Sequence, residues 1–265
     1  MYADLHVHTT VSDGTLAPAE VPAAAADAGL SVVAVTDHDR VAGALDAPVG
    51  RRDGVTLVRG VELRVDSPAG QVDLLGYGVD PSDALRAELD RIQRDRVDRA
   101  RRMVACVEER LGVSLDVAFE SGVGRPHVAR AVAAHPDVPY DVAGAFEHLI
   151  GEGGPCYVAR AVPAFERGAS LLGADCALVA LAHPFRYPDP AAVLELAADL
   201  DAVERYYPYD DPVDPSPVDR VCRTAGLVAT GGSDAHGRTL GRAGLTREQF
   251  APVRRAFDER GTPMP

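Results

Sequence analysis

Lysine is absent from this 265-residue chain: all 27 of its basic side chains are arginines, set against 40 acidic ones for a net charge of −13. That shortage of positive charge excludes a wide, sequence-independent nucleic-acid surface, whose affinity rests on many Lys/Arg–phosphate contacts. It leaves room for a small basic pocket. Long apolar runs are also missing, although 46% of the residues are hydrophobic. No stretch approaches the roughly 20 apolar residues of a membrane helix, so no membrane partner is expected, and the chain reads as globular with a sizeable core. Cysteine is scarce. Cys106, Cys156, Cys176 and Cys222 show no C-x-x-C spacing, so neither a disulfide framework nor a zinc ribbon is indicated, and buried free thiols are expected. Met1 leads straight into strand-like sequence, without the basic region, apolar stretch and cleavage site of a secretion signal; the expectation is a cytoplasmic protein. The acidic, lysine-free composition fits a salt-loving (halophilic) cytoplasm, where charge is screened within roughly 3 Å at 1 M salt. It also fits a GC-rich genome, and thermal unfolding with and without molar salt separates the two.

A chain of this length holds one large domain or two ordinary ones. Residues 3–7 read as a short strand, and 17–28 as a helix with Pro18 near its start and Gly29 as its stop. Residues 31–36 are a continuous β-branched run typical of a buried parallel strand. Residues 56–63 and 72–78 suggest a hairpin across the turn-rich 66–70. From about Pro81 the pattern changes to one long helix over 84–111 and further helical segments over 128–134 and 142–149. Asp90/Arg94, Asp95/Arg99 and Asp98/Arg102 stand at i,i+4 in the long helix, which favours a solvated face over an RNA track. After Pro163 the β/α rhythm resumes, with strands over 177–182, 202–207 and 227–230 and helices between them. The predicted layout is a barrel domain from 1–80 and 161–265, with 81–160 a helical insertion covering the active-site face.

Histidines mark the strand ends. His6 and His8 are separated by one residue on the first strand, and a period of two turns both rings to one side. Thr36-Asp37-His38-Asp39 follows the second strand, Gly60-Val61-Glu62 ends the third, His183-Pro184 follows the fifth, and Gly232-Ser233-Asp234-Ala235-His236 follows the last. In a parallel barrel such ends converge on one face, where residues distant in sequence become neighbours. Asp37 and Asp39 are candidates for orienting a histidine, or equally for ordinary loop and helix-cap duty.

As a set, these motifs, with Ser12-Asp13-Gly14 and Val72-Asp73-Leu74-Leu75-Gly76-Tyr77, resemble the polymerase and histidinol phosphatase (PHP) superfamily of metal-dependent phosphoesterases. The branch most similar comprises nucleoside 3′,5′-bisphosphate phosphatases that also trim short RNA 5′ ends. The resemblance implies an α/β fold, a distorted (β/α)7 barrel, with two or three divalent metal ions (Mn2+, Fe2+ or Zn2+). His6, His8, Glu62 and Asp234 would hold one ion, Glu62 would bridge to a second bound also by His183, and Asp13, His38 and His236 would hold the third. Asp73 stands where relatives usually place a histidine; carboxylate oxygen is a competent ligand, but the shorter side chain weakens that site. The implied chemistry is attack on phosphorus by a metal-generated hydroxide, with no side-chain nucleophile. Arg125, His127, Arg130 and Arg186 are candidate substrate-binding residues for a second, non-scissile phosphate, since an arginine fork matches phosphate bidentately. The expected substrate is a small phosphorylated nucleotide or a short RNA. The alternatives are another PHP phosphatase, such as one for histidinol phosphate, and a non-catalytic domain serving a partner.

Overall fold

The computed structural model describes residues 1–42 and 45–264, and the chain separates into two compact units, Met1–Arg86 with Val162–Pro265, and Ala87–Ala161. Among the described residues the first unit is built on eight strands: β1 (Ala3–Val7), β2 (Val32–Val35), β3 (Val49–Arg52), β4 (Val55–Ser67), β5 (Gly70–Tyr77), β6 (Leu178–Leu181), β7 (Ala202–Tyr206) and β8 (Val228–Gly231). Seven of them follow the order β1-β2-β4-β5-β6-β7-β8, and β3 pairs with β4 off that path. β1, β2 and β4 are mutually parallel, as are β6, β7 and β8, whereas β5 runs antiparallel to both of its neighbours. Past the last strand, Ala235 forms a parallel bridge with Val7 and brings the two ends of the sheet together. That return passes so close to β1 that a Cβ on Gly232 would lie 2.3 Å from the His6 backbone nitrogen; only glycine fits.

Helices cover the sheet because its strands are apolar on both faces. All four residues of β2 are buried, as a two-sided parallel strand requires. Against one side lies α1 (Val21–Asp27), with Val21 and Ala25 packed on Val33, Val35 and Leu57. Against another lies α8 (Arg247–Glu259), whose Phe250, Val253 and Phe257 recur at helical spacing and join Ala34, Val58 and Tyr77. Burying each such side chain contributes about 1.5–3 kcal/mol. The start of α8 is fixed by a reciprocal cap: Thr246 accepts from Gln249 N–H, and the Gln249 side chain accepts from Thr246 N–H.

In the second unit, α2 (Asp83–Leu111) ends at Gly112, which supplies the positive φ of a helix stop. Met103, Val104 and Val107 of α2 pack on Val128, Ala129 and Val132 of α3 (Arg125–Ala134), and on Leu149 and Ile150 just after α4 (Val142–Ala145). The remaining helices, α5 (Phe165–Asp175), α6 (Pro190–Leu196) and α7 (Ser216–Ala225), belong to the first unit.

Four expectations are corrected. Glu62 does not end its strand: β4 continues to Ser67, because its far half is the first arm of the hairpin with β5. Cys106 and Cys156 are not free thiols but a disulfide across 50 residues of the second unit, a pairing that linear spacing does not encode. Cys176 is a buried free thiol. The arginine-rich helix is not solvated throughout. Arg91–Glu88 and Arg101–Asp98 are pairs at i,i+3, but Arg96 and Arg99 are buried and donate to the carbonyls of Val123 and Val158. Finally, β3 and α8 are additional to the expected elements. Among the described residues no helix is long and apolar enough to cross a membrane.

Candidate metal centre

The antiparallel β5 decides which residues meet. Its entry, not its exit, lies at the rim where the parallel strands end, so Asp73 sits opposite Arg64 and beside Ala182, one residue before His183. Around that rim, among the described residues, three groups of potential ligand atoms form, each within 4.8 Å: His8, Asp13, His38 and His236; His6, His8 and Asp234; and Glu62, Asp73 and His183. Glu62 stands at the centre. Its Oε1 is 3.5 Å from His6 Nε2 and 3.1 Å from His183 Nε2, while Oε2 is 3.4 Å from His8 Nε2 and 2.6 Å from His38 Nδ1. Asp234 Oδ1 is 3.1 Å from His8 Nε2, and Asp13 Oδ1 is 3.3 Å from His236 Nε2. The nine sequence-selected residues are thus neighbours.

Buried carboxylates around the rim hold these side chains in place. Glu204, fully buried in β7, lies 3.0 Å through Oε1 from His6 Nδ1 and accepts the His183 backbone N–H through Oε2 at 2.9 Å. The first contact leaves His6 Nε2 to face the cluster; the second holds His183 at φ 27°, a costly conformation for a ring-bearing residue. Asp234, at φ 51°, is a second cluster residue in that region. Asp4 accepts from Ser233 N–H, Ser233 Oγ and Gly241 N–H and so pins the loop carrying Asp234. Asp37 does not reach a histidine; it accepts from Thr9 N–H, Thr9 Oγ1 and Ser12 Oγ, fixing the loop that presents Asp13. Asp39 accepts from Arg64 N–H. Glu204 escaped the sequence reading, because its strand also carries Arg205 and so gives no mark of a lone buried carboxylate.

Opposite charges stand side by side in the cluster and set one another. Burial opposes ionisation of Glu62, yet His38 and His6 beside it hold its carboxyl well below the usual range. Asp13 and Asp234 are likewise held low against burial, by His236 and His6 respectively. Against the same penalty, Glu204, Asp234 and Glu62 push His6 well above its ordinary value, and the Asp13 contact takes His236 up to about 9. His8 is pushed down, by burial and then by His38.

The donor set suits a divalent cation. His6 Nε2, both ring nitrogens of His8, and His183 Nδ1 are buried and make no hydrogen bond, an arrangement that costs roughly 1–3 kcal/mol per group unless a ligand completes it. Imidazole with carboxylate and no thiolate fits Mn2+, Fe2+ or Zn2+. One carboxylate differs from the rest. Asp73 is clamped by Arg64, whose Nε donates to Oδ1 at 2.7 Å and whose Nη2 donates to Oδ2, and Tyr187 covers it. Burial works against the Asp73 charge, but Arg64 holds its carboxyl low.

Among the substrate candidates, Arg186 is half exposed and donates through Nη1 to Asp234 Oδ2 at 2.9 Å and to Tyr207 at 3.0 Å. In the second unit, Arg125 lies over the rings of Phe146 and Tyr157, His127 Nδ1 accepts from Gly124 N–H at the start of α3, and Arg130 is exposed. Buried Arg99 of that unit is depressed to about 9 by burial and by the neighbouring charges of Arg125 and Arg160.

Residues 4–121 match the PHP domain family. The chain is 31% identical over 211 residues, 75% of its length and 73% of the relative's, to a 3′,5′-nucleoside bisphosphate phosphatase of Chromobacterium violaceum. It is 29% identical over 249 residues, covering 90% of this chain and 95% of the other, to a phosphoribosyl 1,2-cyclic phosphate 1,2-diphosphodiesterase of Eggerthella lenta. A solved structure of an amidohydrolase from Chromobacterium violaceum, with bound sulfate and no metal, superposes with a TM-score of 0.81 at 26% identity, covering 98% and 97% of the two chains.

Proposed function

The chain belongs to the PHP family of metal-dependent phosphoesterases, and from that premise we propose that it removes a phosphate from small doubly phosphorylated nucleotides, nucleoside 3′,5′-bisphosphates being the substrate class. The observation that carries the reading is the meeting of five imidazoles and three further carboxylates around Glu62, with buried ring nitrogens among them that make no hydrogen bond. Two divalent cations would be held here, one by His6, His8, Glu62 and Asp234, the other by Asp13, His38 and His236. At the remaining corner the Arg64 guanidinium supplies the positive charge that Asp73 would otherwise draw from a third ion. Bound cations supply a hydroxide near neutral pH and neutralise charge on the attacking and leaving oxygens. The protein's own part is positional: Glu204 sets the His6 ring, His183 steadies Glu62, and Arg186 with Tyr207 turns Asp234 so that Oδ1 faces the histidines.

Arg186, beside the cluster, serves the second phosphate in this reading, and Arg125, His127 and Arg130 of the second unit are further candidate phosphate-binding residues. Replacing Arg125 with Met then raises KM for a bisphosphate more than for the matching monophosphate. The same chemistry extends to 5′–3′ removal of nucleotides from short RNA. The test is phosphate release from adenosine 3′,5′-bisphosphate with Mn2+, Fe2+ or Zn2+, where turnover is expected with at least one metal. Absence of turnover with all three, alongside intact metal binding, overturns the reading. A cytoplasmic location is part of this proposal, and the disulfide weighs against it, because such bridges are uncommon where thiols are kept reduced.

A further inference from the structure

Beside Asp234 and His236 the first unit holds a cavity of about 490 Å3, within the size range of small-molecule sites. We propose that this cavity is a nucleobase pocket, receiving the planar ring of the substrate while its phosphate ester lies at the cluster. The inference rests on the phosphoesterase reading for what lies at the cluster, and on the cavity's own walls for the ring.

Those walls are aromatic. The rings of Tyr207 and Tyr209 have centroids 4.7 Å apart at 51°, and Phe185 stands edge-on to Tyr209 at 5.5 Å and 75°. The three belong to two different segments, and the Phe185 backbone N–H donates to the Tyr209 hydroxyl at 3.2 Å, joining them. Tyr207 donates to Asp234 Oδ2 at 2.8 Å, so the aromatic wall is bonded directly to a residue of the cluster. All three rings are partly exposed, which leaves ring surface open to a ligand. Nucleobases stack on such faces whatever their sequence, because every base has a π-face. An alkyl or sugar phosphate has no planar ring to place there. Asp210 and Asp211 are exposed on the same lining, which Arg186 and Arg242 share. Carboxylates only accept hydrogen bonds, so they suit a base edge that carries N–H donors.

The test compares two ligands with the same phosphate, adenosine 5′-monophosphate and ribose 5-phosphate, binding to the chelator-stripped full chain by titration calorimetry. The wild type should hold the nucleotide about tenfold more tightly. Tyr209→Leu should erase the preference, and Tyr209→Phe, which keeps the ring, should retain it. Equal affinity in the wild type, or a preference that survives Tyr209→Leu in a variant with an unchanged circular dichroism spectrum, overturns the proposal. If Tyr209→Leu does not fold, the wild-type ratio together with chemical-shift changes of the Tyr209 ring on adding the nucleotide decides: no change there rules the pocket out. Metal-free binding needs no catalysis. A base preference without turnover under any metal therefore sinks the phosphatase reading and leaves the pocket, and turnover without a base preference does the reverse.

Discussion

Two corners of the cluster solve the same electrostatic problem in opposite ways. At the β1 corner, His6, His8 and Asp234 bring ring nitrogens without hydrogen bonds up to a carboxylate, and Glu204 locks one ring from behind. At the β5 corner, the buried carboxylate of Asp73 already has a fixed cation in Arg64. The first arrangement leaves its ring nitrogens to an ion; in the second the Asp73 charge is already paired, although His183 Nδ1 still makes no hydrogen bond. A superfamily pattern of ligands therefore does not by itself fix how many metals a chain carries, because one neighbouring residue can supply the charge internally.

The comparison breaks most readily at the β1 corner. Asp234→Ala or His8→Ala should take turnover to background while the far-ultraviolet circular dichroism stays unchanged; retained turnover would mean that the cluster is assigned to the wrong residues. At the β5 corner the expected loss is of stability. Arg64→Met leaves the Asp73 charge buried and unpaired, so the metal-free variant should lose about 3–5 kcal/mol in urea unfolding, and added Mn2+ should restore much of it. Equal stability of variant and wild type without metal would show that Arg64 does not hold the charge. Glu204→Gln keeps the shape but weakens the grip on His6, and a roughly 10–100-fold loss of metal affinity is expected, measured by competition with a chromophoric chelator.

A pH series sharpens the contrast further. His236 is raised from 6.5 to about 9, with burial opposing the charge and Asp13 favouring it, so its contribution to the metal-free fold is complete below about pH 6.5. It is lost as pH rises through about 9. Asp13 and Asp234 are depressed, and their contribution is present above about pH 3.8 and lost as pH falls through their folded values. The melting temperature of stripped protein should thus fall between pH 6.5 and 9.5, whereas the metal-loaded protein, whose rings would have released their protons to solvent on binding the ion, should hold. Parallel curves for the two forms would contradict this.

Most members of the cluster were legible as a set, because their motifs sit at strand ends, where both the β-branched runs and the histidines stand out in the sequence. The two-residue period put His6 and His8 on one side, and the full set of motifs, with its likeness to the PHP superfamily, added Glu62, His183, Asp234 and His236. What stayed hidden depends on pairing across space. The hairpin across 66–70 already implied that β5 runs antiparallel to β4, but nothing in the sequence states that β6 pairs along its other edge, and that pairing is what brings Asp73 and His183 together. Arg64 reads as an ordinary strand residue until its register partner is known to be Asp73. The Cys106–Cys156 bridge joins residues 50 apart with no local signature. By contrast α8 was readable in principle, since Thr246 and Gln249 stand at the spacing of a capping box.

The central claim is that Arg64 takes the place of a third metal. Metal content per chain, measured by plasma mass spectrometry after loading with excess Mn2+ and desalting, tests it directly in wild type and Arg64→Met. The account predicts two ions in the wild type and a third in the variant, held by Glu62, Asp73 and His183. Three ions in the wild type, or no gain in the variant, would contradict it.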